Sequence, residues 1–148
     1  MSDNVKFIFN TTEYLSKKAV SKFNIPIIPK GSVLLSFKLT VGRIGIAAED
    51  IVSNEAIACF KTNNVRLRNH LIFFLKNYDF NSIGSTSSIA TAVNSKIIKQ
   101  IVISIPNDNE LDIFNNIAEP VINLIFNFEK EVILLTNLKK LYLQKFFG

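Results

Sequence analysis

From Leu111 onward an apolar residue recurs every three or four positions. Leu111, Phe114, Ala118, Val121, Ile125, Phe128, Val132, Leu135, Tyr142 and Phe146 follow this rhythm, with Lys139 as the single polar occupant. Alternating steps of three and four make a coiled-coil seam, whose a and d positions return every seven residues. Asn107, three residues before Glu110, supplies the start signal of a capping box. Pro120 lies inside the pattern, where a proline removes one backbone bond and costs about 3 kcal/mol, so a kink or short break is expected there. The spacing thus predicts one helix over 107–148. A helix of that length cannot hide its whole stripe against a domain at its root. Each large seam residue left in water forgoes roughly 1.5–3 kcal/mol of burial. The stripe therefore asks for a second helix.

The residues ahead of this helix differ in charge. Residues 1–106 hold 13 Lys and Arg against 6 Asp and Glu, a balance of +7; residues 107–148 hold 4 against 6, a balance of −2, and the two make the +5 of the 148-residue chain. Two readings of the basic front stand side by side: contact with a polyanion, or a lysine excess that serves solubility alone. At 48% hydrophobic and 20% charged, the chain has the material for a core and is not a disordered tail. No apolar run approaches the ~18 residues that span a bilayer. The opening Met-Ser-Asp-Asn lacks the basic start and apolar middle of a signal peptide. One cysteine, Cys59, and one histidine, His70, exclude an internal disulfide and a Cys/His metal site. The expectation is a cytoplasmic protein without metal or cofactor.

Runs rich in strand formers lie at 5–9, 33–37, 44–48, 56–61 and 101–105. Asn10 and Glu13 have capping-box spacing, and Ser16 offers a second N-cap for a short helix around 17–23. Pro26, Pro29 and Gly31 make turn chemistry, and Val41-Gly-Arg-Ile-Gly45 a bend. Over 68–78 the period changes: Leu71, Phe74, Leu75 and Tyr78 share one face of an amphipathic helix. His70 beside that face reads as structural, and Cys59 as a small buried hydrophobe. Residues 84–94 read as an ordered polar loop leading into a short helix near 95–99. The fold class is α+β: a mixed-sheet domain over 1–106, then a long helical arm over 107–148.

Motifs for chemistry are missing. There is no Gly-rich phosphate loop, no GxSxG elbow and no HExxH pair. The adjacent Glu49-Asp50 follows a strand and reads as a turn. Nothing argues for catalysis, so the front is a recognition domain or a structural one.

Three stretches together resemble the specificity subunit of type I restriction-modification systems. The first, Ile27-Ile-Pro-Lys-Gly-Ser-Val-Leu-Leu-Ser-Phe-Lys-Leu-Thr-Val-Gly-Arg-Ile-Gly-Ile46, is similar to the family's Lys-Gly turn, "LLS" strand, Thr-x-Gly-Lys/Arg bend and following strand. The second runs from Gly84-Ser-Thr to Asn94 and on through Ile101-Val-Ile-Ser-Ile-Pro106, like the family's Gly-Ser/Thr-Thr loop and "IPIP" strand. The third, Leu138-Lys-Lys-Leu-Tyr-Leu-Gln-Lys-Phe-Phe147, resembles the end of the family's conserved spacer helix, and Asn54 matches a position the family often fills with Asn. No stretch is specific alone; their order and spacing over roughly 12–147 carry the likeness. It implies a non-catalytic DNA target recognition domain fused to a coiled-coil arm, working with methyltransferase (modification) and restriction subunits. Family members carry two such domains joined by two antiparallel helices. On this resemblance the chain is expected to hold one of each and to begin inside the domain pattern.

Candidate contacts to double-stranded DNA follow from residue chemistry. Lys38, Thr40 and Arg43 flank glycines at a strand–bend–strand junction where backbone can approach a phosphate; the same bend serves equally as a fold-determining hairpin. Ser85, Thr86 and Ser87 offer hydroxyls to phosphate or base edges, or simply a solvated loop. Lys17 and Lys18, with Lys22 and Lys30, make either a phosphate-facing stripe or a solvated face. The seam is expected to pair antiparallel with a second copy or another specificity-subunit half, Lys139 meeting Glu110, Asp112 or Glu119 of the partner helix. The alternative is a protein-interaction fragment that pairs through its helix without reading DNA.

Overall fold

The computed structural model describes residues 5–11, 13–38, 40–83 and 93–148. Four strands form one mixed sheet: β1 (Lys6–Ile8), β2 (Val33–Ser36), β3 (Ile44–Ala47) and β4 (Ile57–Phe60), in spatial order β1-β3-β2-β4. β2 pairs antiparallel with β3 and, on its other side, with β4, so Leu34 lies between Gly45 and Cys59. β1 joins β3 in parallel, Phe7 opposite Ile46. Every residue of β2 and β3 is buried, which is why both read as apolar runs rather than alternations.

The fifth expected strand does not form. Residues 101–107 are neither helix nor strand. Ile101 and Ile103 lean on the core while Val102 and Ile105 stay exposed, so the strand-like alternation has a packing cause without a sheet partner. His70 holds this segment instead, its Nε2–H donating to Ser104 O at 2.9 Å.

Side-chain caps set where the helices α1 (Lys17–Lys22), α2 (Val65–Asn77), α3 (Ser95–Lys99) and α4 (Asp108–Phe147) begin. Ser16, Asn64, Asn94 and Asn107 each accept from backbone N–H groups of the first turn. Hence α1 starts from Ser16, not Asn10, and α2 starts three residues earlier than its apolar period alone indicates. At α4 the capping box closes both ways: Glu110 N donates to Asn107 Oδ1 at 3.0 Å and Asn107 N to Glu110 Oε2 at 3.1 Å. α4 is 40 residues long, about 60 Å at 1.5 Å per residue. The expected break at Pro120 is absent and the helix continues through it. Pro120 and Asn116, whose carbonyl loses its partner, both face solvent, where water can replace the missing bond. No helix of the described residues is long and apolar enough to cross a membrane.

One sheet face carries the main core. Val33, Leu35, Ile44 and Ile46 meet Leu71, Ile72 and Leu75 of α2 and Ile122 of α4. On the other face Leu34 and Ala47 pack with Ile28, Ile51 and Cys59 in a smaller cluster, where burial pushes the Cys59 thiol pKa up.

The first half of α4 lies across α2 and β1. Leu111, Ala118 and Ile122 are buried, Phe114 meets Phe73 edge-on at 5.3 Å, and Phe126 meets Phe7 edge-on at 4.9 Å. Glu129 Oε2 accepts from Phe7 N at 2.6 Å, so a carboxylate of the helix satisfies the edge strand β1. Arg66 reaches Asp112 at 2.7 Å and Asp108 at 3.3 Å.

This docking corrects the expectation that the whole stripe needs a second helix. Leu111, Phe114 and Ala118 turn to the chain's own domain, together with Ile122 and Phe126, which the seam did not include. Ile125 is half-buried, while Val121, Phe128, Val132, Leu135, Tyr142 and Phe146 are exposed. A straight helix drifts by ∼20° per heptad, so one seven-residue rhythm does not stay on one face for 40 residues. Glu110, Asp112 and Glu119, expected to meet a partner's Lys139, are engaged within the chain by the cap, by Arg66 and by Asn115 Nδ2.

If this docking holds the domain together, Ile122→Ala removes a core side chain and costs about 2–4 kcal/mol. Ile117→Ala, on the exposed flank of the same helix, changes stability by less than about 0.5 kcal/mol. Urea denaturation of the two variants measures the difference.

Candidate nucleic-acid interface

The β2–β3 connection is built by its own backbone. Ser36 N donates to Arg43 O at 3.0 Å, and Gly42 N returns a bond to Ser36 O at 3.1 Å. Ser36 Oγ donates to Thr40 O, closing the loop from inside. Gly42 has φ +84°, and a Cβ there would lie 3.0 Å from the Phe80 ring. Glycine is thus required for two reasons, backbone conformation and the close approach of an aromatic ring. Val41 packs on the core, Thr40 is exposed and Arg43 is half-buried.

Two acidic and amide groups that the sequence reading did not place at this site hold its other side. Lys38 Nζ pairs with Glu55 Oε1 at 2.5 Å, and that bond holds the Glu55 carboxyl below its ordinary range. Asn54 Oδ1 accepts from Ala56 N at 3.0 Å, an Asx turn that launches β4 beside the hairpin. The signal for Asn54 lay in its position three residues before β4; the Lys38–Glu55 pair crosses 17 residues and had no local signal.

The expected DNA contacts do not form one cluster. Lys38, Thr40 and Arg43 lie past Ser36, at one end of the sheet. Lys17 and Lys18 are exposed on α1, whose connections enter at the opposite end, where Gly31 N donates to Ala47 O at 2.8 Å and Ile28 bridges Ile51. Four-residue strands keep these ends on the order of 12 Å apart. Beside α1 lies a cleft of about 1060 Å³ whose lining includes Tyr14, Lys17, Ile27, Glu13, Glu49 and Asp50. Carboxylates thus temper the lysines there, and Asp50 Oδ1 accepts from Lys30 N at 2.9 Å, which makes Glu49-Asp50 a turn element. Ser85, Thr86 and Ser87 lie outside the described residues; the chain approaches them through the 3₁₀ turn Phe80–Ile83, whose Phe80 packs on Gly42 at the hairpin end.

His70 takes the structural role read from sequence, between Phe74 and Phe114 with its bond to Ser104. Among the described residues no group of three His, Cys, Asp or Glu could hold a metal ion. The described hairpin end brings together backbone turns, the Arg43 guanidinium, the Lys38 ammonium and the Ser36 and Thr40 hydroxyls. The family model for the type I restriction modification DNA specificity domain matches residues 2–140.

A pair of variants separates the folding role of the bend from a binding role. Gly42→Ala is expected to cost about 1–3 kcal/mol, through the positive φ and the Phe80 contact. Arg43→Ala keeps the backbone bond to Ser36, holds the thermal midpoint within a few degrees, and lowers the salt slope of duplex binding by about 1. Thermal melts with anisotropy titrations check both; a large fall in midpoint with unchanged affinity for Arg43→Ala assigns the bend to the fold alone.

Proposed function

The chain belongs to the type I restriction-modification DNA specificity domain family, and we propose that it acts as half of a specificity subunit. Members of that family are DNA-recognition modules that give type I systems their sequence specificity. In this reading residues 1–106 are the recognition domain, contacting double-stranded DNA through the hairpin end. Lys38, Thr40 and Arg43 meet the backbone there, with Ser85, Thr86 and Ser87, and Lys17 and Lys18 add longer-range attraction. Residues 107–148 are the arm, and modification and restriction subunits assemble on the paired arms.

One observation carries the pairing: the distal half of α4 leaves Phe128, Val132, Leu135, Leu138, Tyr142 and Phe146 exposed with no domain beneath them. Two copies side by side and antiparallel cover both stripes and set a recognition domain at each end. Glu131, exposed on the distal half, is the acidic group within the arm that suits a partner's Lys139. Identical halves read a palindromic split site.

The second reading, a fragment that pairs with another specificity subunit without reading DNA, draws on the Lys38–Glu55 pair and the carboxylates around α1, which reduce the front's free charge. Duplex binding at low salt decides between them: log K is expected to fall against log salt with a slope of roughly 0.9 per phosphate neutralised. No affinity, even with a modification subunit bound, rejects DNA recognition. For pairing, light scattering at micromolar concentration is expected to give a dimer, and Phe128→Glu with Val132→Glu a monomer with an unchanged thermal midpoint. A monodisperse wild-type monomer rejects the paired arms.

A further inference from the structure

Between α2 and α4 runs a line of hydrogen bonds that none of the roles above uses. Asn69 is fully buried. Its Oδ1 accepts from Arg68 Nε at 3.0 Å and Nη2 at 2.9 Å, and its Nδ2 donates to Asn115 Oδ1 at 2.7 Å. Asn115 Nδ2 then donates to Glu119 Oε2 at 2.8 Å, ending the line at a half-buried carboxylate. We propose that Asn69 and Asn115 lock the register of α4 on the domain, fixing how far along the arm the domain sits.

Apolar packing alone does not fix that register. On α4, apolar residues stand three or four positions from most contact residues: Phe114 beside Leu111, Phe114 and Ile122 beside Ala118, Ile125 and Phe126 beside Ile122. A slide of one turn exchanges one apolar contact for another, and cores tolerate such exchanges. The polar line does not tolerate it. Moving α4 by four residues one way sets Leu111 against Asn69 and leaves the buried Nδ2 without an acceptor, at the full desolvation cost of that group. Moving it the other way sets the Glu119 carboxylate there, leaves Arg66 one acidic partner in place of two, since Asp112 takes the position of Asp108 and Asn116 that of Asp112, and puts Ile133 where Glu129 accepts from Phe7 N. A single buried asparagine pair is a known device for fixing helix register, at some expense in stability.

The lock itself stands without DNA. Its consequence for DNA rests on the paired-arm reading: the spacing between two half-sites follows from where each domain sits on its arm.

The test uses the full chain with Cys59→Ala and spin labels at Asn63→Cys, beside the start of α4, and Lys140→Cys, about 45 Å further along the helix. Labelled chain is diluted with unlabelled chain so that pulsed electron resonance reads distances within one chain. One narrow distance is expected. Asn69→Leu with Asn115→Leu replaces both amides by apolar groups of similar size, and the half-buried Arg68 and Glu119 that they bonded are left to face each other. This double variant is expected to add a second population displaced by about 5 Å, one helical turn. A folded double variant with one unshifted distance overturns the lock. So does a double variant that no longer folds while Glu119→Ala, the second probe, also leaves the distance narrow. Glu119→Ala is expected to broaden the distribution, and Glu119→Gln, which keeps an acceptor, to restore it. On duplexes carrying two half-sites, the unlabelled double variant is expected to shift its preferred spacing by about three base pairs, both arms moving one turn at roughly 3.4 Å per pair. Loss of all DNA binding by wild type rejects the DNA reading and leaves the distance result standing.

Discussion

The docking of the first half of α4 across α2 and β1 is the contact on which the other features depend. Without it Ile122 leaves the main core, β1 loses Phe126 and the Glu129 carboxylate, and the edge of the sheet opens. β1 has three residues and one strand neighbour, too little to stay paired on its own strength. The helix therefore acts as the second wall of the domain before it becomes an arm. That double use explains why polar residues such as Asn115 and Glu129 lie on its inner face.

The hairpin end and the α1 end of the sheet have opposite characters. At the first, the chain is locked by short backbone bonds, a glycine with positive φ and an aromatic ring, so side chains of the loop are held on rigid elements. At the second, lysines share a cleft with carboxylates and exposed apolar groups. The hairpin end carries the more preorganised groups, with Glu55 as the carboxylate beside Lys38, whereas the α1 end sets its lysines among Glu13, Glu49 and Asp50. The +7 of the front is thus a statement about its long-range field more than about a count of contacts. Lys38 illustrates the point: it belongs to the basic total and is neutralised locally by Glu55.

The two halves of α4 differ in burial for one geometric reason. Docking consumes one face of the first half, and the helix then runs beyond the domain with all its faces in water. There Leu134, Leu138 and Leu141 join the original seam residues as exposed groups. A contiguous apolar surface of this kind is larger than the scattered exposed groups usual on a protein exterior, and it is the observation on which the proposed pairing of the arms rests.

Several features were legible from local sequence because local physics decides them. Asn107 and Glu110 marked the start of α4, the strand formers at 33–37 and 44–48 marked the central hairpin, and Ser16 marked α1. The resemblance to the specificity family was also legible, since turn, strand and helix words recur in order. The tertiary structure alone decided the rest. Residues 101–105 have the alternation of a strand, yet among the described residues no strand pairs with them, and pairing is a property of two segments. Pro120 breaks a helix in isolation but not one held by contacts on both sides of it. The seam shows that an apolar residue wants cover, and it cannot show which surface gives it. Leu111 and Phe114 found cover in their own domain and Phe128 did not, because burial depends on what folding brings opposite each side chain.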